Sequence, residues 1–320
     1  MIWVSIFGAD SYSGSVLSKL VASHPYAQIS TVVDSDLSDT VNPYAGRQNT
    51  SIFGAIDKSD LLFSAVPYER NRVVFDEAAS LGKKIIDISA IPTFKALPQD
   101  IGSSIYGLAE INKNKIQGAS IVKNPDCFTT GAVLGLAPLV MAGLIDKKSV
   151  IIDSKSGISA ASKCSKIDSS FVEMNENTKV YKLVEHNYEE EIENCFSKLC
   201  KESITVNYTP YLIPLSRGIM TSIYATPAVK VSKESLAKCF NEYYADSLFV
   251  RVLDAGTLPQ TRDVAYSNYC DIGVTVNERT GNITVVTAMD NMMKGAAGQA
   301  VQNMNLMCGF NENSGLEFLI

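Results

Sequence analysis

The opening residues constrain the fold more tightly than any other stretch. An apolar run, IWVSIF, leads into the turn GADSYSG, then into SVLSKLVASH and a second apolar run, QISTVVD. Val16, Leu17, Leu20 and Val21 fall on one face at helical spacing, so the segment reads strand, turn, helix, strand. This is a βαβ unit of about 30 residues with glycines at its first turn, as a dinucleotide-binding half requires. Gly8 permits the tight turn and Gly14 lets the helix pack closely, while Ser11 stands where a middle glycine is expected. The N–H groups and hydroxyls around Ser11, Tyr12 and Ser13 would face a pyrophosphate at the helix N-terminus. A glycine turn in any α/β domain looks the same, so the turn alone leaves both readings open.

The pattern then repeats. DLLFSAVP and KKIIDIS read as buried strands, with NRVVFDEAASLG as the helix between them. Short strand–helix–strand connections predict a parallel, doubly wound sheet. Ligands of such sheets lie beyond the carboxyl ends of the strands, where Asp10, Asp34, Pro67, Ser89 and Cys127 fall. The second half has another texture. SVIIDSKSGISAASK, ESITVNYTPYLIP, GIMTSIYATPAVKV and YCDIGVTVNERTGNITVVTAMDN are strand-rich, and NERTGN is a hairpin turn. They predict a largely antiparallel sheet in a separate α+β domain. KGAAGQAVQNMNLMCG is a late helix, with Ala296, Ala300, Met304 and Met307 near one face.

Within KNPDCFTTGAVLGL, Pro125 disfavours helix at Asn124, and an apolar helical run follows. Cys127 therefore falls at or near a helix N-terminus, where unpaired N–H groups and the dipole favour a thiolate. A buried, inert cysteine is the competing reading. Other chemistries are less well supported. The seven cysteines form no CxxC pair and there are two histidines, His24 and His186, so no metal site is expected. A net charge of −6 argues against a nucleic-acid partner. No apolar run approaches the roughly 18 residues of a membrane span. The start carries no basic signal-like segment, so the chain is expected in the cytoplasm with reduced thiols.

LPQTRDVAYSNYCDIGV and DNMMKGAAGQAVQNMNLMCGF resemble the C-terminal signature of the N-acetyl-gamma-glutamyl-phosphate reductases, relatives of the aspartate-semialdehyde dehydrogenases. YGLAEIN, NPDCFTT, DSKSGISAASK, PLSRGIMTSIY and FVRVLDAG resemble further blocks of that family, in its order. The resemblance implies an NADP-dependent reduction of an acyl phosphate through a cysteine thioester, with Cys127 as nucleophile and His186 as its proton partner. It implies cofactor contacts at Gly8, Ser11, Tyr12, Ser13, Gly14, Ser35, Pro67, Ser156, Gly157 and Asn291. Asn124, Lys155 and Arg217 are its substrate-binding candidates, Lys163 a further cation, and Glu191 a group that could orient the imidazole. It also implies a homodimer or homotetramer. The dinucleotide domain would comprise residues 1–126 and 290–320, around a catalytic and oligomerisation domain at 127–289.

The chain departs from the family at Asp126, at Phe128-Thr129, in HNYEEEI, at Pro67-Tyr68, and at SAIPTF, which lacks the family's basic residue unless Lys95 substitutes for it. Cofactor choice is the sharpest conflict. Asp34 stands about 20 residues beyond Gly14, where a carboxylate accepts from the ribose hydroxyls of NAD. Asp36 adds charge, Ser35 suits a 2′-phosphate, and Arg47 is the nearest sequence candidate for a compensating cation. NADP is expected, with NAD possible. A reductase of N-acetyl-aminoadipyl or aspartyl phosphate, and a nucleotide-binding homologue without catalysis, are the other readings.

Overall fold

The computed structural model describes residues 1–36, 40–41, 51–89, 104–161, 171–183 and 187–317. Arg47, Lys95, Lys163, Cys164 and His186 lie outside the described residues. The chain divides into two compact units, Met1–Asp126 with Ala296–Ile320, and Cys127–Gly295.

The first unit runs β1 (Ile2–Phe7), α1 (Tyr12–Ala22), β2 (Ala27–Val33), β3 (Thr40–Val41), α2 (Ile52–Asp57) and β4 (Leu61–Ser64). It continues with α3 (Tyr68–Ser80), β5 (Lys84–Asp87), β6 (Ile105–Tyr106), α4 (Ala109–Gln117) and β7 (Ile121–Lys123). The strand order is β3-β2-β1-β4-β5-β7-β6, parallel throughout except where β3 pairs with β2. The order reverses between β1 and β4, the switch point where such sheets bind ligands. Leu61, Leu62, Phe63 and Ser64 are all buried, as expected for a central strand covered on both faces. On one face Phe7, Val33, Leu62, Val66, Phe75 and Ile85 share a core with residues of α2 and α3. Helix α1 starts three residues before the apolar periodicity announces it, because Ser11 is its N-cap.

The second unit runs α5 (Cys127–Met141), β8 (Val150–Gly157), α6 (Phe171–Met174), β9 (Lys179–Val180), α7 (Tyr188–Cys200) and β10 (Val206–Ile213). It continues with β11 (Ile219–Ala225), α8 (Lys233–Tyr243), β12 (Val250–Val252), β13 (Cys270–Val276) and β14 (Ile283–Met289). Its sheet has the order β12-β13-β14-β11-β8-β10-β9. The sheet is antiparallel from β13 to β8 and at β10–β9, but β8–β10 and β12–β13 are parallel. The β8–β10 joint needs a long crossover, which the segment containing α6 and α7 supplies. Residues Cys127 to Val140 of α5 are buried on every side. A helix apolar all round belongs in a core, and α5 lies against β11 and β14, with α7 and α8 beside it. On the other face of the sheet Ile151 and Tyr224 are exposed neighbours.

A π-helical turn (Met293–Ala297) leads into α9 (Gly298–Cys308), which belongs to the first unit. Its apolar residues do not form a single face: Gly298 through Met307 are all buried. Amides make this possible. Asn303 Nδ2 donates to Gly107 O at 2.8 Å and Asn124 Oδ1 at 3.0 Å, and Gln302 Nε2 donates to Glu110 at 3.0 Å. Buried polar groups cost little once each finds such a partner. No helix among the described residues is long and apolar enough to cross a membrane.

Candidate active site

The glycine turn after β1 is tightly built. Gly8 has φ +82, and its N–H and that of Ala9 both donate to Val33 O, at 2.7 and 3.1 Å. A Cβ on Gly14 would sit 2.1 Å from Gly8 O, so only glycine lets α1 start this close to the turn. Ser11 Oγ accepts from Gly14 N at 3.0 Å and donates to Gly8 O at 2.8 Å. The Ser11 hydroxyl thus closes the turn, and the first-turn N–H groups of Tyr12 and Ser13 are the ones placed to meet an anion. Tyr12 is exposed and Ser13 half-buried. The turn fits a pyrophosphate. Pro67 opens α3 at the end of β4, and its carbonyl accepts from the N–H groups of Arg70 and Asn71 at 3.0 Å each.

At the end of β2, Ser35 donates twice to Asp10 Oδ1, from N at 2.8 Å and from Oγ at 2.5 Å. Its hydroxyl hydrogen is therefore already committed. Arg70 Nη2 donates to Ser35 O at 3.4 Å. Local sequence pattern does not mark Arg70, because its signal is topological: it stands on the first turn of α3, which follows β4, and β4 is separated from β2 by β1.

Cys127 is the first residue of α5 and 9% exposed. The first turn of this helix is held from several sides. The Phe128 ring stacks on Tyr181 and Tyr188, with centroids 6.0 and 5.0 Å away. Tyr208 Oη lies 2.8 Å from Phe128 O and 2.6 Å from Ser154 Oγ, which in turn meets Thr221 Oγ1 at 2.7 Å. Thr129 Oγ1 donates to Glu191 at 2.7 Å, so this buried carboxylate reaches the helix that carries the cysteine. Gly295 packs directly against the cysteine: a Cβ there would lie 2.6 Å from Cys127 Cβ. The thiols of Cys239 and Cys308 are pushed up by burial, as expected of inert cysteines.

Ser156, Gly157, Arg217 and Asn291 come together in the second unit. Gly157 N donates to Gly218 O at 2.9 Å, and Gly218 N donates to Asn291 Oδ1 at 2.7 Å. Asn291 Nδ2 donates to Ser159 Oγ at 2.9 Å. Ser156 Oγ is buried with no hydrogen-bond partner among the described residues, a polar atom that a bound group could satisfy. Arg217 Nη2 donates to the buried Asp290 at 3.1 Å, and its guanidinium lies 4.6 Å from the centre of the Tyr266 ring. Asp290 also accepts from the N–H groups of Tyr266, Met292 and Met293, and its carbonyl accepts from Gly295 N. One carboxylate therefore orients both Arg217 and the loop that touches Cys127. Nothing in the local pattern singles out Asp290, because an aspartate at the end of a strand is an ordinary turn former.

Lys155 is not brought into this group. Side chains alternate along β8, and Ser154 and Ser156 take the face covered by α5. Lys155 points the other way, to Asp153 and the Tyr211 ring. Asn124, in the first unit, spends its amide on Ala296 O and Asn303. Beside it, Lys123 and Asp87 form a buried pair at 4.0 Å, and burial holds the Asp87 carboxyl above its ordinary range.

A parallel-sheet unit with a glycine turn, together in one chain with a mixed-sheet unit carrying a cysteine at a buried helix start, defines the architecture of the semialdehyde dehydrogenases. Accordingly, residues 3–119 match the family description "Semialdehyde dehydrogenase, NAD binding domain", and residues 127–291 match "Semialdehyde dehydrogenase, dimerisation domain". An aspartate semialdehyde dehydrogenase with NADP from Candida albicans has the same fold, with TM-score 0.72 and 18% identity over 96% of this chain and 98% of that one. Full-length sequence similarity is more specific. The N-acetyl-gamma-glutamyl-phosphate reductase of Pelobacter propionicus is 40% identical, covering 100% of this chain and 99% of the relative. That of Pelotomaculum thermopropionicum is 38% identical over 98% and 97%. The chain belongs to the N-acetyl-gamma-glutamyl-phosphate reductase family.

Proposed function

We propose that this protein reduces N-acetyl-gamma-glutamyl phosphate to N-acetylglutamate 5-semialdehyde and phosphate, with Cys127 as the nucleophile. The observation that carries the reading is Cys127 itself, at the first position of α5 and walled by Gly295 and the anchored Phe128-Thr129 turn. The sulfur attacks the γ-carbonyl carbon and the C–O bond to phosphate breaks, leaving a thioester on Cys127. NADPH, when bound, supplies the hydride that reduces this carbonyl carbon. N–H groups of the α5 first turn stabilise the negative oxygen of the resulting thiohemiacetal. Loss of the S–C bond releases the aldehyde and returns the thiolate. His186 is the proton partner on this reading, giving a proton to that oxygen and taking it back as the aldehyde forms.

The cofactor would rest on Gly8, Tyr12, Ser13 and Gly14, with Pro67 at the next strand end and Ser156, Gly157 and Asn291 as further candidates. Arg217, oriented by Asp290, is the favoured group for a substrate anion, since a guanidinium holds carboxylate or phosphate with two hydrogen bonds. Lys155 is the weaker candidate because it lies on the opposite face of its sheet. That face, with Ile151 and Tyr224 exposed on it, is also the surface we assign to pairing of subunits in a homodimer. Light scattering that finds monomer alone at micromolar concentration would remove the pairing.

The reaction is tested in reverse. Phosphate-dependent oxidation of N-acetylglutamate semialdehyde should generate NADPH absorbance, with aspartate semialdehyde and the aminoadipate analogue run in parallel. Turnover of either analogue in preference to the N-acetylglutamate compound would move the protein to a sister activity.

A further inference from the structure

We infer that Arg70 sets the preference of this protein for a 2′-phosphorylated dinucleotide, an inference that rests on the nucleotide reading above. The end of β2 is where a Rossmann-type sheet meets the adenosine ribose of its ligand. In this chain three carboxylates, Asp10, Asp34 and Asp36, surround that position in sequence or in space. Ser35, between two of them, has given both its N–H and its hydroxyl hydrogen to Asp10. A dianionic 2′-phosphate therefore finds acidic side chains here and a serine whose donors are already used.

Arg70 supplies the opposite charge. It comes from the first turn of α3, not from the segment that follows β2, and reaches across so that Nη2 lies 3.4 Å from Ser35 O. That contact is long and made to a neutral carbonyl, so it aims the guanidinium without neutralising it. Arg70 is exposed, and a guanidinium carries five N–H donors in a planar fork suited to phosphate. The backbone beneath it is fixed. Asp10 ties Ser35 to the β1 turn, and the Arg70 N–H is held by Pro67 O at the end of β4. The loop after β1, the end of β2 and the start of α3 thus converge on one exposed cation beside the ribose position. A 2′-hydroxyl, being neutral, gains little from it.

The test is calorimetric titration of the full-length protein with NADP and with NAD, together with 2′,5′-ADP and 5′-ADP as fragments that differ by the same phosphate. Arg70→Ala should weaken NADP and 2′,5′-ADP by about 10- to 100-fold while changing NAD and 5′-ADP by less than about twofold. Arg70→Lys, which keeps the charge and loses the fork, should fall between. Equal losses for phosphorylated and unphosphorylated ligands, or an unchanged NADP affinity in Arg70→Ala, would overturn the assignment while leaving the nucleotide reading intact. If the unmodified protein binds neither dinucleotide at millimolar concentration, the nucleotide reading fails and this inference fails with it. Arg70 is exposed, so a melting temperature matching the parent protein is expected and separates loss of affinity from loss of fold.

Discussion

Helices α1 and α5 each begin just after a strand and a short turn, yet their first turns are built in opposite ways. The α1 start is open: Tyr12 is 45% exposed, Ser11 caps the helix from within, and the turn carries no acidic residue on α1 itself. The α5 start is closed: Phe128, Thr129 and Thr130 are at most 1% exposed, and aromatic rings, Glu191 and Gly295 surround the turn. The same partial positive charge serves binding in one case and reactivity in the other. An open end lets a diffusing anion approach. A closed end limits the motion and hydration of the sulfur, so that the incoming carbonyl carbon must meet it in one geometry.

If that division holds, changes at α5 should strike turnover and changes at α1 should strike affinity. The largest effect is expected from Cys127→Ser. Phosphate-dependent oxidation should fall by more than ~10³-fold, because a hydroxyl is scarcely ionised at neutral pH. NADP affinity measured by calorimetry should stay within about twofold, and near-parental turnover would sink the cysteine mechanism. Next is Gly295→Ala, whose methyl group must displace Cys127. A shift of about an ångström at a nucleophile costs on the order of 10²-fold in kcat, so a kcat within threefold of the parent would show that the closed wall is unimportant.

Ser11→Ala acts on the other helix start. Removing this cap should cost about 1 kcal/mol of stability and weaken NADP with kcat at saturation unchanged, whereas Ser11→Gly should cost a few tenths. Urea unfolding and NADP titration read the two quantities. The smallest effect concerns the far end of α1. His24 donates from Nε2 to Asn305 at 3.0 Å and accepts at Nδ1 from Tyr26 N at 3.1 Å, which describes a neutral ring. Burial lowers its pKa below 6.5. A depressed histidine contributes stability that is present above pH 6.5 and lost as pH falls through the folded-state value. Melting temperatures should therefore decline as pH falls below about 6.5, and His24→Gln should flatten that part of the profile. An identical decline in the variant would assign it to other groups.

The fold of both units was legible because their strands carry period-two or continuously apolar patterns, and because the α1 turn has glycines where its geometry demands them. Cys127 was legible for the same kind of reason: Pro125 ends one conformation and the apolar run starts another. Short or amphipathic elements escaped notice. The strands β3 and β6 are two residues each, and α8 has only Leu236 and Phe240 fully buried. The parallel joint of β8 with β10 could not be read, since local pattern does not record partner direction. The reach of Arg70, the grip of Asp290 on Arg217 and the misdirection of Lys155 all depend on tertiary placement. Each was invisible for that reason. The boundary of the late segment was read at 290, whereas the compact units part after Gly295, within a π-helical turn that periodicity does not signal.

The position of α9 sets a schedule for the growing chain. The sheet of the first unit is complete in sequence by Lys123, but the helix that satisfies Gly107, Asn124 and His24 is made only after the whole of the second unit. At roughly 5–20 residues per second, the N-terminal strands wait on the order of ten seconds with one flank bare. Nascent chains stalled before residue 296 should therefore be cut readily by protease within residues 1–126, and should become resistant once α9 has left the ribosome. The first unit to be translated is the last to be finished.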